Sequence, residues 1–479
     1  MDIATDEYIS TEEYSESPLD DNIAEIAKTN IRNELGQLTM DNLLYDFDYM
    51  MYLIENAFPY IEMLKRKFDI DVMELAQDVR LMIENYPYSF HDRADRLGIA
   101  HDDIPSLDEQ VFWAILATEF FGYMPPGLTH FRILSFDTFQ WLMYPPAGAF
   151  SPFQPILRRN ADAFNKETAM QFYLNQFEFS IYLAENDPNT IRLLFNYEEI
   201  LLEPVVRTPP PLIATDIIEE GRVAYINFST FMAFDLMPIS LYLTPFYRSI
   251  QECEHLIIDI RNNSGGNPDF YRMLIMDSLW SDRDHMPNLP LYAFFLDTEL
   301  GRVLGKEARE TGTQQSIAVP ETDRLLSVEE LLAESELPNL NTNDLQNFAY
   351  GYRANTSLEN ITNRRFPQLA MEIPRVPFEG QIWLLTSYRN TSSAALFPRK
   401  AKYMGFATLV GEQVAGAYTI AFPVYFSLPN TGIILELDVD YVVDETGRAL
   451  QEFPTKPHYF NREGLDALET VLQMIDEGR

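Results

Sequence analysis

The chain of 479 residues is 46% apolar and 13% aromatic, enough for two or three domains around a large buried core. Its 73 acidic and 35 basic side chains leave a formal charge of −38, which argues against nucleic acid and anionic membranes, whose phosphates need a basic surface. The lone cysteine, Cys253, rules out an intramolecular disulfide, and no apolar run reaches the roughly 18 residues of a membrane span.

Residues 1–25 hold nine acids and no Lys or Arg. Such a stretch cannot bury enough apolar surface to offset its ordering entropy, so residues 1–30 are predicted to form a disordered acidic tail. Met1 leads straight into "DIATDEYISTEEY", with no visible export signal. The stretch reads either as a tether left after removal of such a signal or as an ordinary acidic tail.

Residues 31–212 are predicted to be mainly helical. "LLYDFDYMMYLIENAFPYIEMLKRKF" repeats apolar residues at three and four, interrupted at Pro59. "SLDEQVFWAILATEFFGYM" reads as a helix with Ser106 as N-cap and Glu109 at capping-box spacing. The aromatic stripes in these segments read as helix core. The proline-rich "RTPPPLIATD" (207–216) marks a domain boundary.

Beyond it, over 213–479, the pattern changes. "GRVAYINFSTF", "HLIIDIRNNSGG", "GQIWLLTS" and "FATLVGE" are short strand-like runs ended by turn residues, and 239–252 and 392–404 between them look helical. That alternation predicts an α/β (α+β) domain. Residues 290–375 are polar and irregular and read as an insertion, and "GLDALETVLQMIDEG" closes the chain as an amphipathic helix.

Two turns carry chemical interest. The strand His255–Ile260 runs into Asn-Asn-Ser-Gly-Gly. Paired glycines, Gly265 and Gly266, let bare amides approach a ligand, as in half of an oxyanion hole, or simply make a strand-to-helix turn. Ser392 follows the "QIWLLTS" strand at the mouth of a helix and reads either as an N-cap or as a nucleophile. The clusters "SDRDH" (281–285) and "HDD" (101–103) read as solvated surface, so no metal is expected, and His255 and His458 read as structural.

The order "RNNSGG", "SSAALF", "GFATLVGE", "GRALQEFPTKPHYFN" and a final helix resembles the C-terminal processing (tail-specific) protease family of serine peptidases over roughly 213–479. Upstream, "FFGYMPPGLTHFRI" resembles that family's Asp-x-His-Thr segment, with His130 on its histidine. The resemblance implies a crotonase/ClpP-like catalytic core behind a helical region like that of secreted Gram-positive members. It implies an extracellular or cell-surface bacterial peptidase acting on peptides or unfolded proteins, without cofactor; no PDZ module is seen, and the oligomeric state is left open.

For the site, the resemblance implies Ser392 as nucleophile, with Ser393 as the fallback, and the amides of Gly265 or Gly266 and of Ser393 as oxyanion donors. One branch of the family uses a Ser–Lys dyad. Here Ala417 stands at the lysine's place, and Lys400 and Lys402 lie about two or three helical turns beyond the serine. The tricorn-like branch uses serine and histidine, and Thr129–His130 fits it, with His130 as base. Thr129, Glu452 or Gln451 is then expected to orient the histidine. The chain departs from the family at Ala395, Gln451 and Pro457–His458, which motivates a second reading: a catalytically degenerate peptide-binding protein on the same fold.

Overall fold

The computed structural model describes residues 38–143, 163, 167–196, 211–233, 236–281, 289–315, 319–320, 325–355, 373–416, 418–420 and 423–478. The acidic tail, residues 207–210 of the proline-rich stretch, residues 282–285 and Ala417 lie outside the described residues.

The architecture is mixed α/β with a helical N-terminal region. The strands in chain order are β1 (Arg132–Ile133), β2 (Ile213–Glu219), β3 (Val223–Phe228), β4 (His255–Asp259), β5 (Leu291–Leu296), β6 (Val319–Pro320), β7 (Leu326–Ser327) and β8 (Phe348–Asn355). They continue as β9 (Gln381–Thr386), β10 (Thr408–Gly411), β11 (Val424–Ser427), β12 (Ile434–Leu437), β13 (Tyr441–Val443) and β14 (Tyr459–Phe460).

A six-stranded sheet has the order β14-β10-β9-β4-β3-β2, parallel throughout except for β2. Its central strands, "LIID" and "IWLLT", are continuous apolar runs, as a sheet covered on both faces requires. Ile257, Trp383, Leu385 and Val410 pack under the terminal helix Ala467–Asp476, while Leu256, Ile258 and Leu384 face the main core with Ala394 and Phe397. The Gly265–Gly266 turn follows β4 and the Ser392 turn follows β9, the next parallel strand. Both turns therefore open at the carboxyl ends of adjacent strands, where α/β sheets place their ligands.

Three expectations are corrected. Residues 290–375 are not irregular over their described part: β5, β6 and β8 join β13 in a sheet, with β7 paired to β8. The reason is β5, "LYAFFL", which is buried along its whole length and needs partners on both edges. The boundary near 212 does not separate two packing units, because β1 pairs antiparallel with β12 and one core runs from Leu43 to Leu450. The helix at Glu109–Ile115 is capped by Asp108, which accepts the amides of Gln110 and Val111, rather than by Ser106.

The helix Met40–Ala57 is tied to the β11–β12 turn through Asp46, fully buried, which accepts the amides of Asn430 and Thr431 and the Thr431 hydroxyl. This bond set holds the hairpin whose far end carries the candidate site.

Candidate active site

Ser392 occupies the turn between β9 and the helix Ser393–Met404 with φ 51° and ψ −128°. The amide of Ala394 closes the turn on Thr391 O at 3.0 Å. These angles are those of the first central position of a type II′ turn, which normally takes glycine. Among the described residues, the other non-glycine positions with positive φ, Asp69 and Asn196, sit in the left-handed helical region that ends helices. Ser392 does not: its backbone is strained, as at the elbow that presents a nucleophilic serine. Its side chain makes no capping bond to the helix, so the N-cap reading does not hold.

The glycine turn lies directly against it. A Cβ built on Gly265 would stand 3.0 Å from Ser392 Cβ, 3.0 Å from Thr391 O and 3.4 Å from Ser393 N. Both glycines have positive φ, 114° and 129°. Two buried asparagines knit the turns together. Asn390 donates to the carbonyls of Ile260 and Asn263 and accepts Ser387 N–H, and Asn263 donates to Phe228 O. Thr391 Oγ1 donates to Ser264 O at 2.6 Å.

The amides divide unequally. Gly265 N–H donates to Asn263 Oδ1 at 2.9 Å and is occupied. The amides of Gly266 and Ser393 have no acceptor among the described residues. Of the two candidate glycines, only Gly266 therefore has an N–H to offer an oxyanion beside that of Ser393. Ser393 itself is buried, its hydroxyl without a partner among the described residues, and is poorly placed to act as the fallback nucleophile.

The segment 127–130 runs beside the serine turn. A Cβ on Gly127 would meet Thr391 Cγ2 at 2.5 Å, and one on Gly416 would meet Leu128 O at 2.9 Å. Gly416 O in turn accepts Ser392 N–H at 2.9 Å. His130 follows two residues after Leu128.

The carboxylate that holds His130 is that of Asp438. His130 Nδ1 and Asp438 Oδ1 are 2.8 Å apart, and His130 N–H donates to Asp438 Oδ2 at 2.9 Å. Asp438 is fully buried, while the imidazole remains partly open. With the proton on Nδ1 facing the carboxylate, Nε2 carries the free lone pair of a general base. Burial is the largest single influence on His130 and lowers its pKa. The charge and hydrogen bond of Asp438, with the charge of Glu436, outweigh it against the opposing Arg132, so the pKa is raised above the ordinary 6.5. Glu436, in β12 two residues before Asp438, is buried between Arg132 at 2.6 Å and the Tyr425 hydroxyl at 2.7 Å.

The expected orienting residues are placed elsewhere. Glu452 forms an ion pair with Arg66 at 2.7 Å. Gln451 is buried and donates to Tyr418 O. Thr129 neighbours His130 in sequence but does not hold its ring. The sequence did carry a signal for Asp438. "IILELDVDYVV" places Glu436, Asp438 and Asp440 at spacing two in an otherwise apolar strand, and buried carboxylates require partners. Lys400 is buried in the helix after Ser392 with its pKa well below the ordinary value, chiefly through burial and then the charges of Arg272 and Arg399. His458 accepts Leu409 N–H at 2.9 Å and His255 accepts Trp383 Nε1–H at 3.3 Å, both within the β-sheet framework. Among the described residues, no cluster of three or more His, Cys, Asp or Glu could hold a metal, and no helix is long and apolar enough to cross a membrane.

No protein-family model matches the chain, and no curated protein matches it. Among solved structures it is similar to a lipoprotein from Streptococcus agalactiae, at 14% identity and TM-score 0.41 over 91% of this chain and 97% of that one. It is similar to mature CPAF complexed with lactacystin, at 14% identity and TM-score 0.47 over 92% and 97%. A photosystem II D1 C-terminal processing protease is similar over 52% and 46%, at 14% identity and TM-score 0.28. At this identity and overlap the likenesses carry no functional weight.

Proposed function

We propose that the chain is a serine-type peptidase in which Ser392 is the nucleophile, His130 the general base and Asp438 the orienting acid. The observation that carries this is the backbone of Ser392, a strained glycine-like turn pressed against Gly265. Strain of this kind persists only where the surroundings over-determine it, and it clusters where chemistry is done.

In the proposed reaction Ser392 Oγ attacks the carbonyl carbon of a peptide bond while His130 Nε2 takes the hydroxyl proton. The oxyanion is held by the amides of Ser393 and Gly266, the first of which also lies at a helix N-terminus. His130 passes the proton to the leaving amine, and the C–N bond breaks. Water then gives a proton to His130 as it attacks the acyl-enzyme, and Ser392 Oγ recovers that proton as the acid leaves. Asp438 holds the tautomer and stabilises the imidazolium throughout, without being protonated. The substrate is a peptide or unfolded protein, acted on outside a bacterial cell.

The test is covalent labelling with a fluorophosphonate probe. Labelling of the wild type that disappears in Ser392→Ala and persists in Ser393→Ala supports the proposal. A folded wild type that does not label would leave the degenerate peptide-binding protein as the better account.

A further inference from the structure

Strand β12 runs on into "DVD", whose outer residues are buried acids two positions apart. Asp438 serves His130. Asp440 has contacts of its own, which the reaction above does not use. Its carboxylate accepts the Thr419 hydroxyl at 2.6 Å and Ile420 N–H at 2.8 Å. Its carbonyl accepts the Tyr60 hydroxyl at 2.8 Å, and the Tyr60 oxygen accepts Val442 N–H at 3.1 Å. The acid is thus held from behind while it holds the end of the segment that starts at Val414.

The described residues of that segment, 414–416 and 418–420, line the serine turn. Val414 N–H donates to Thr455 O at 3.1 Å, Ala415 N–H to Asn390 O at 2.9 Å, and Gly416 O accepts Ser392 N–H at 2.9 Å. Tyr418 reaches Ala395 O at 3.4 Å. On its other side, Gly416 abuts Leu128, two residues before His130. Main-chain bonds secure the near end of the wall and Asp440 secures the far end.

We propose that Asp440 is a positioning residue: by holding Thr419 and Ile420 it fixes Gly416, and Gly416 seats Ser392 beside the His130 segment. The proposal rests on Ser392 being the nucleophile. Ser392 keeps its strained turn only while its neighbours constrain it, and the bond to Gly416 O is one of those constraints. With one carboxylate oxygen replaced by an amide nitrogen, one of the two buried donors faces another donor instead of an acceptor, the wall loosens and the serine relaxes.

The experiment compares Asp440→Asn, Thr419→Val and Thr419→Ser. Asp440→Asn and Thr419→Val are expected to slow labelling of Ser392 by a fluorophosphonate probe by about ten- to a hundred-fold, the scale of loss that a misplacement of about 1 Å can cause. Thr419→Ser, which keeps the hydroxyl, is expected to label at nearly the wild-type rate. Amide hydrogen exchange of a peptide spanning Ser392 and Ala395 needs no activity, and it is expected to quicken in the first two variants and not in the third. Unchanged exchange in both Asp440→Asn and Thr419→Val overturns the proposal, whatever labelling does. If Asp440→Asn does not fold, Thr419→Val against Thr419→Ser decides alone. If the wild type does not label at all, the peptidase assignment fails, and exchange still reads whether Asp440 holds the serine turn.

Discussion

His130 and Asp438, 308 positions apart in the chain, face each other just beyond the paired residues of β1 and β12, where Arg132 stands opposite Glu436 and Ile133 opposite Leu435. One carboxylate accepts both the backbone amide and the ring of the histidine. Asp438→Asn should therefore keep the packing but lose the preferred tautomer, because the amide nitrogen cannot accept from Nδ1–H. Turnover is expected to fall by roughly 10³–10⁴-fold, as in other triads with this change. Labelling kinetics on a folded Asp438→Asn protein would check it, and a loss below tenfold would remove Asp438 from the mechanism.

His130 must be neutral to act as base, so activity should rise with pH through its titration. Because its pKa is raised, the midpoint should lie above 6.5. The same shift means that its ion pair with Asp438 supports the fold fully below about pH 6.5 and loses that contribution as pH rises through the folded pKa. Glu436→Gln removes a negative charge that raises the pKa, and the acid limb of the pH profile should move to lower pH. A pH–rate series on the two proteins would show it, and a shift to higher pH would contradict the electrostatics.

Relief of strain at Ser392 gives an inverted stability order. Glycine is usually the less stable of the pair Ala and Gly, by about 0.5–1 kcal/mol in ordered structure. At φ 51° and ψ −128° glycine is at ease and alanine is not. Ser392→Gly is expected to be more stable than Ser392→Ala by about 1 kcal/mol, with both inactive. Thermal or urea unfolding of the two variants settles the order.

The two glycines should respond differently to alanine. At Gly266 a Cβ would lie 2.5 Å from Phe231 C and 2.6 Å from Met232 N, both backbone atoms that cannot swing away. At Gly265 the tightest neighbours stand at 3.0 Å, and one is the Ser392 side chain itself. Gly266→Ala should cost more stability, while Gly265→Ala should keep more of its fold and lose labelling. Paired melting curves and probe labelling would measure both halves of this expectation.

His458 should make the protein acid-sensitive. Its Nδ1 accepts Leu409 N–H, so that nitrogen must stay unprotonated. Burial and then the charge of Lys402 lower its pKa. A lowered histidine contributes nothing to pH dependence well above 6.5, and its contribution is lost as pH falls from there toward the folded pKa. The urea midpoint should drop between pH 7 and 5, and the drop should shrink in His458→Asn, whose side-chain oxygen can accept the same amide.

Local pattern alone made several features legible. The apolar runs of β4 and β9, the glycine pair after one and the serine after the other depend on short-range propensity and on turn chemistry, which neighbours in sequence dictate. His130 was singled out through a resemblance of its flanking residues. The tertiary structure decided the rest, because it depends on pairings that close long loops. The 308-residue separation of His130 and Asp438 is bridged by the β1–β12 register, and Glu452, near the motif in sequence, is drawn off to Arg66. Which glycine keeps a free amide was likewise set by where Asn263 turns its side chain. The strain at Ser392 has the same origin, since a serine takes a glycine's backbone angles only when packing from three separate segments leaves it no other.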